Sequence, residues 1–392
     1  MTIAHDPIIK IELFPVFLPF REYVRDMLQG GSGKVAMGLK VDDHWLGADI
    51  LVCRMTTENG VVGIGDLYIW LVESAVSPQL VASVIKNHLA RFVLGQSAFD
   101  MEAIQEKFCN NVAHNDMAKG LIDLTLYDVA ARSIGRPVHD LCGGKQIDRI
   151  PMSMVLPLTD IETILEVVKL GQAEGVGSFR CKLGDGARRD VEIISAVRDL
   201  IGPDAGLRVD YNQAYTANQA LHAIEAIAPY GIDFAEQPVK ADDFAGMAWV
   251  QSRTDVPLMA HESAFGLRDI ATLHQMGAVR AFGINPERPG GMTAALKAID
   301  YAAMTGLDVV LHNQPSGIGS AAILHMHAAR ARNIRHATEL QGHVMMEHDL
   351  LRQSIVYENG FAHLPTGPGW GVELDEDALD KYQVQEAEVL EA

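Results

Sequence analysis

At 392 residues the chain has room for two or three units of about 150 residues, and an α/β barrel of about 250 residues plus one smaller domain fits that length. Apolar residues make up 48% and charged residues 21%, which excludes disorder over most of the chain. Thirty-two basic residues against 51 acidic ones leave a net charge of −19. Such a surface repels phosphate backbones and anionic lipid, so no nucleic acid and no membrane is expected as a partner.

Cys53, Cys109, Cys142 and Cys181 form no CxxC pair and are irregularly spaced, so a reducing, cytoplasmic setting is expected rather than a disulfide framework. The N-terminal MTIAHDPIIKIELFPVF lacks a basic segment followed by a long apolar run, so no signal peptide is expected. No run of 18 apolar residues occurs, and no transmembrane helix is expected.

Residues 1–145 read as a mixed α+β domain. Ile8–Phe17 alternates apolar and polar residues and is expected to break at Pro15. Ile50–Thr57 and Val61–Ile64 flank Glu58-Asn59-Gly60, a hairpin signal, so the three segments predict an antiparallel sheet. Helices are expected near 74–94, 99–111 and 116–134, the last with an apolar stripe at Ile122, Leu126, Val129 and Ala130 and a stop at Gly135 and Pro137. The glycine-rich stretch Arg21–Lys40 reads as a loop. Its Gly31-Ser32-Gly33-Lys34-Val35-Ala36 fits a loose dinucleotide fingerprint but follows no strand, so that reading fails.

From residue 146 to 340 short apolar runs alternate with helix-length amphipathic segments. The strands expected are Pro151–Leu156, Ser178–Leu183, Leu207–Tyr211, Ile232–Glu236, Leu258–His261, Val279–Asn285, Val309–His312 and His336–Leu340. Eight strands with parallel crossovers predict an α/β fold, a (β/α)8-type barrel or a close variant, packed tightly against the N-terminal α+β unit. Residues from about 341 to 392 are expected to return to the first domain.

In such a barrel the active site lies at the C-terminal strand ends. Asp210, Glu236 and Glu262 are 26 residues apart in succession, about one βα unit each, so three neighbouring strands deliver three carboxylates to one edge of the mouth. Their mutual repulsion calls for a hard divalent cation, and Mg²⁺ suits an oxygen site with open positions. Arg180 and Lys182 share one face of the second strand by the period of two. A lysine crowded by a guanidinium and a metal can serve as a base near neutrality. His312, five strands on, is placed to reach the opposite face of the same carbon. The remaining polar residues at strand ends are Asn285 and Glu339.

As a set these residues resemble the mandelate racemase/muconate lactonizing enzyme branch of the enolase superfamily. Phe179-Arg180-Cys181-Lys182-Leu183-Gly184 resembles its K-x-K strand, Val209-Asp210-Tyr211-Asn212 its D-x-N strand and Phe234-Ala235-Glu236-Gln237-Pro238 its E-E/Q-P strand. Ala260-His261-Glu262-Ser263 resembles its third-ligand strand, Pro289-Gly290-Gly291 its Gly-Gly turn, and Asp123–Gly144 the segment leading into the barrel. The resemblance implies an α+β capping domain on a modified TIM barrel, one Mg²⁺, removal of the proton α to a carboxylate to give an enediolate, a small carboxylate substrate and a homo-oligomer.

Three departures matter. Arg180 replaces the first lysine, leaving Lys182 as the base on that face, with Arg180 as a carboxylate clamp. Asn285 stands where the racemase group pairs an aspartate with histidine and where the muconate group has a lysine. That weakens His312 as a base, suggests it acts mainly as an acid, and disfavours the muconate mechanism. In the third ligand strand Glu262 is preferred because oxygen suits Mg²⁺, with His261 open. Glu339 corresponds to an acid that hydrogen-bonds the substrate. The expected reaction is dehydration of a hydroxylated, acid-sugar type carboxylic acid. The alternatives are a racemase or epimerase, a lactone cycloisomerase, or a metal-binding regulatory protein without activity. Arg21, Tyr23, Arg25, Lys34 and Trp70 are candidates for substrate specificity.

Overall fold

Alternating hydrophobicity near the N-terminus produces long antiparallel strands. A computed structural model of the chain describes residues 6–29, 45–312 and 315–392. Strands β1 (Ile8–Pro19), β2 (Gly47–Thr57) and β3 (Val62–Ile69) form the sheet the hairpin signal announced. Strand β1 does not break at Pro15, which pairs with Leu51 of β2. A proline is tolerated there because the regular pairing on its other side, to the C-terminal strand, ends at Leu13. Part of the expected loop is instead helix α1 (Glu22–Gln29). The loose dinucleotide match and Lys34 lie outside the described residues.

Helix α2 (Asp116–Ser133) ends just before Gly135, but it is not an amphipathic surface helix. Its residues from Met117 to Ala131 are all buried, because it is covered on two sides. On one side Gly63 and Gly65 of β3 let the strand lie against it. A Cβ at Gly65 would fall 2.4 Å from Thr125 Oγ1. On the other side Asp123 accepts from the Thr293 amide at 2.9 Å and from its hydroxyl at 2.8 Å. The helix expected over 74–94 is instead a short helix capped by Ser77 with Pro78 in its first turn, followed by a π-turn and a 3₁₀ turn.

Seven parallel strands follow: β4 (Met154–Leu156), β5 (Ser178–Lys182), β6 (Gly206–Asp210), β7 (Ala235–Glu236), β8 (Leu258–Ala260), β9 (Ala281–Ile284) and β10 (Asp308–Leu311). They are hydrogen-bonded in sequence order, with helices in the connections, as βαβ crossovers require. The eighth expected strand, 336–340, joins no sheet. It closes the barrel through a single parallel bridge from Met152 to Thr338, with the Glu339 amide donating to the Leu311 carbonyl at 3.1 Å. Residues beyond 341 return over the N-terminal sheet. Strand β11 (Glu388–Glu391) pairs with β1, and the buried Trp370 donates its indole N–H to the Ile64 carbonyl at 2.9 Å. No helix among the described residues is long and apolar enough to cross a membrane.

Candidate active site

Parallel register sets the site. Lys182 pairs across to Asp210, and Asp210 to Glu236, so the three side chains stand at one level on β5, β6 and β7. Lys182 Nζ donates to Asp210 Oδ2 at 2.5 Å and to Asn212 Oδ1 at 2.6 Å. Arg180 bridges three acids: it donates to Glu236 Oε1 at 2.6 Å, to Glu339 Oε2 at 2.7 Å, and to Asp210. Arg208, fully buried two residues before Asp210, holds the other oxygen of Glu339 at 2.5 Å. Arg180 is thus a multi-acid clamp, one of its partners being Glu339.

The loops after the strands carry strain. Asn212, Gln213 and Gln237 have φ of 40°, 64° and 33°, in the left-handed region that disfavours side chains. The Gln237 conformation aims its amide at the next stave. Its oxygen accepts from the backbone of His261 at 3.1 Å and Ser263 at 3.0 Å, and its nitrogen donates to Ser263 Oγ at 2.6 Å. That clamp presents His261 and Glu262 to the cavity. Glu262 Oε1 accepts from Asn212 Nδ2 at 3.2 Å.

His261 and His312 stack with ring centroids 4.0 Å apart. They can do so because β9 carries Gly283 beneath them: a Cβ there would lie 2.7 Å from His312 Nε2 and 2.9 Å from His261 Cδ2. The side-chain amide of Asn285, expected to orient His312, lies 2.9 Å from His261 Nε2. Arg288 Nη1 meets the same nitrogen at 3.0 Å, while its other arm pairs with Glu73 of the N-terminal domain. The Asn285 atom in contact is Oδ1, which can only accept, while a guanidinium can only donate, so these two neighbours favour opposite tautomers of the ring. Its Nδ1 faces Glu236 Oε1 at 3.3 Å and Glu262 Oε2 at 3.6 Å.

Burial decides the charge states. It pushes the Glu236 carboxyl well above the usual range; Arg180 opposes this, and Asp210 and Glu339 reinforce it. Glu262 is raised by burial and by Asp210. Burial also works to raise Asp210, but Arg180 and Lys182 together outweigh it and hold that carboxyl below the usual range. Burial and Arg288 hold His261 down at about 3; burial, His261 and Arg180 hold His312 well below its ordinary value. Both rings are therefore neutral near pH 7.

The donor set suits a cation. Glu236 Oε2 and Glu262 Oε2 are buried with no hydrogen-bond partner, the state of ligand oxygens awaiting a metal. Asp210, Glu236, Glu262 and Glu339 outnumber Arg180, Lys182 and Arg208, and a cation among them would relieve the burial and repulsion that raise Glu236 and Glu262. Glu236, His261 and His312 also offer one ligand atom each within 4.8 Å of one another.

A cavity of about 450 Å³ opens over these groups, with Lys182, His312, Asn285 and Glu339 in its wall. Of the specificity candidates, Tyr23 and Trp70 line it. Arg21 turns to the carbonyls of Met346 at 2.8 Å and His343 at 3.2 Å, and Arg25 pairs with Glu347 at 3.8 Å. Sequence reasoning missed Arg288, Trp45 and Gln237 as site residues. Arg288 was legible only as a charge shortly after a strand end, Gln237 only as part of the Glu236-Gln237-Pro238 motif, and nothing local marked Trp45.

An α/β barrel with acids and a lysine at consecutive strand ends, beside an N-terminal α+β domain, is an enzyme-like arrangement, and comparison with known proteins gives its family. Residues 46–143 match the model of the mandelate racemase/muconate lactonizing enzyme N-terminal domain, and residues 163–378 match that of the enolase C-terminal domain-like family. N-succinyl-L-Arg/Lys racemase of Bacillus cereus is 29% identical over 336 residues, 85% of this chain and 90% of that protein. Chloromuconate cycloisomerase of Cupriavidus pinatubonensis is 28% identical over 339 residues, 85% of this chain and 90% of that protein. The crystal structure of the Bacillus cereus racemase superposes with a TM-score of 0.88 at 27% identity, covering 98% of this chain and 100% of that one. The chain belongs to the mandelate racemase/muconate lactonizing enzyme branch of the enolase superfamily. It is an enzyme of the isomerase or lyase type.

Proposed function

We propose that the protein racemises or epimerises an α-substituted carboxylic acid by moving its α-proton between Lys182 and His312. The observation that carries this reading is that both side chains face one cavity from staves five apart, with Asp210, Glu236 and Glu262 on the staves between them. Asp210, Glu236 and Glu262 would hold Mg²⁺, which when bound offsets negative charge developing on the substrate carboxylate. Glu262 is favoured over His261 as the third ligand because a carboxylate oxygen suits Mg²⁺ and its Oε2 is buried without a hydrogen-bond partner. With one enantiomer His312, kept neutral by burial, takes the α-proton and Lys182 delivers one to the opposite face; with the other enantiomer Lys182 takes the proton and His312, then protonated, delivers it. Arg180 and Arg208 fix Glu339 in the cavity wall, where it can hydrogen-bond the substrate.

Dehydration of an acid sugar is the second reading. It needs His312 to hand a proton to the departing hydroxyl rather than to the α-carbon. The named relatives are a racemase and a cycloisomerase, which supports the isomerase reading.

The test is proton exchange in D₂O with Mg²⁺ and both enantiomers of a panel of α-substituted acids. Wild type should wash deuterium into either enantiomer. Lys182→Met should retain exchange with one enantiomer only, and His312→Asn with the other, each losing about 10²–10⁴-fold in racemisation. A 2-keto product would replace this reading with dehydration. No exchange in metal-loaded protein would leave the regulatory alternative.

A further inference from the structure

We infer that the substrate of this site carries an uncharged aromatic or bulky aliphatic arm on its α-carbon or α-nitrogen, and no second carboxylate. This names the substrate class of the proton-transfer reading above and rests on it. Trp45, Trp70, Tyr68, Met154, Val155 and Met345 supply aromatic and apolar surface to the cavity wall. Trp45 and Trp70 stack with ring centroids 5.1 Å apart and 19° between planes, and Phe20 meets Trp45 edge-on at 4.9 Å. That stack presents a broad apolar face, which suits a flat or branched apolar group.

The charges point the same way. The cations among the described lining residues are Arg180, Lys182 and Arg288, and each is already engaged by a carboxylate: Arg180 by Asp210, Glu236 and Glu339, Lys182 by Asp210, and Arg288 by Glu73. The outer lining adds Glu166 and Glu174, both exposed at the mouth. A distal carboxylate would enter an apolar chamber rimmed by acids and meet no uncommitted cation among those residues, a desolvation that nothing repays. A cationic arm would find the acids, but the two tryptophans present one joint wall rather than faces set around a point charge.

The experiment compares three N-acyl alanines in Mg²⁺-loaded protein: N-phenylacetyl, N-succinyl and N-(trimethylammonio)acetyl. Affinity is read by calorimetry and α-deuterium exchange by NMR. The phenylacetyl compound should bind about tenfold or more tighter than the succinyl one. Trp70→Ala should erase that preference. Leu170→Lys, which adds a cation at the exposed mouth without disturbing the core, should narrow it by strengthening succinyl binding. Tighter binding of the succinyl or the trimethylammonio compound, no binding of any, or a ranking untouched by Trp70→Ala, overturns the inference. The predicted affinity ranking without deuterium exchange would leave this inference standing and remove the proton-transfer reading. Exchange with a preference for the succinyl compound would do the reverse.

Discussion

The imidazoles of His261 and His312 lie stacked, with centroids 4.0 Å apart and 24° between their planes, over a glycine that leaves no room for a side chain. The stack passes contact from the fifth stave to the seventh. It also helps hold His312 neutral, since a proton on one ring would repel one on the other. Gly283→Ala should push the rings apart. Overpacking of this kind costs about 1–3 kcal/mol of stability. Racemisation should fall far more than the melting temperature does, because His312 would lose its placement. A variant with full kcat would show that the stack has no part in proton transfer.

Metal binding separates the two candidates for the third ligand. Chelator-treated protein should melt at a higher temperature when Mg²⁺ is restored, by mass action on the folded state. Glu262→Gln should remove most of that shift. His261→Asn, which alters a neighbour of the ligands, should weaken Mg²⁺ by about 10–100-fold. The reverse order would make His261 the ligand and point to a softer metal.

Glu339 depends on two guanidiniums, Arg180 Nη1 at 2.7 Å and Arg208 Nη2 at 2.5 Å. Arg208→Met keeps the volume but leaves the buried acid with one partner. Breaking a buried pair in this way costs about 3–5 kcal/mol. Denaturant unfolding should show that loss. Arg208→Met/Glu339→Gln should recover part of it, since the uncompensated charge is gone. A double variant no more stable than the single one would mean that Arg208 acts through its contact with the Phe234 ring instead.

Asp66 of β3 accepts from the Ser316 hydroxyl across the join between the N-terminal sheet and the barrel. Burial raises its carboxyl from 3.8 to about 7, with Ser316 opposing and Glu287 adding to the rise. The folded state therefore binds this proton more tightly than the unfolded chain does. The contribution is fully present below pH 3.8 and is lost as pH rises through about 7. The span corresponds to at most about 4 kcal/mol. Asp66→Asn should flatten the fall in stability over that window, seen as parallel unfolding curves at acid and neutral pH. An unchanged pH slope would place the proton elsewhere.

Much of this protein is local in origin. The period-two runs of β1 to β3, the Glu58-Asn59-Gly60 turn, the crossover rhythm after residue 150 and the recurrence of Asp210, Glu236 and Glu262 every 26 residues are written in near neighbours. Turn chemistry and side-chain alternation act over a few residues, so they survive without the fold. The barrel's closure was not legible in the same way. Residues 336–340 read as a strand, yet they meet their neighbours through one bridge, because the closing geometry depends on staves nearly 200 residues away. Helix α2 read as amphipathic, but packing against β3 and against the Gly291–Thr293 turn buries it all round.

The pairings within the site belong to the tertiary structure as well. Sequence placed Asn285 with His312, but the folded chain sets its amide on His261 beside Arg288. Register alone decided that Lys182, Asp210 and Glu236 share a level. Desolvation decided that both imidazoles are neutral, and the meeting of two domains joined Trp45 and Trp70 to the reacting groups in one cavity. The residue types carry the chemistry available to the site; burial and cross-chain distance, which no stretch of sequence contains, decide which of it can be used.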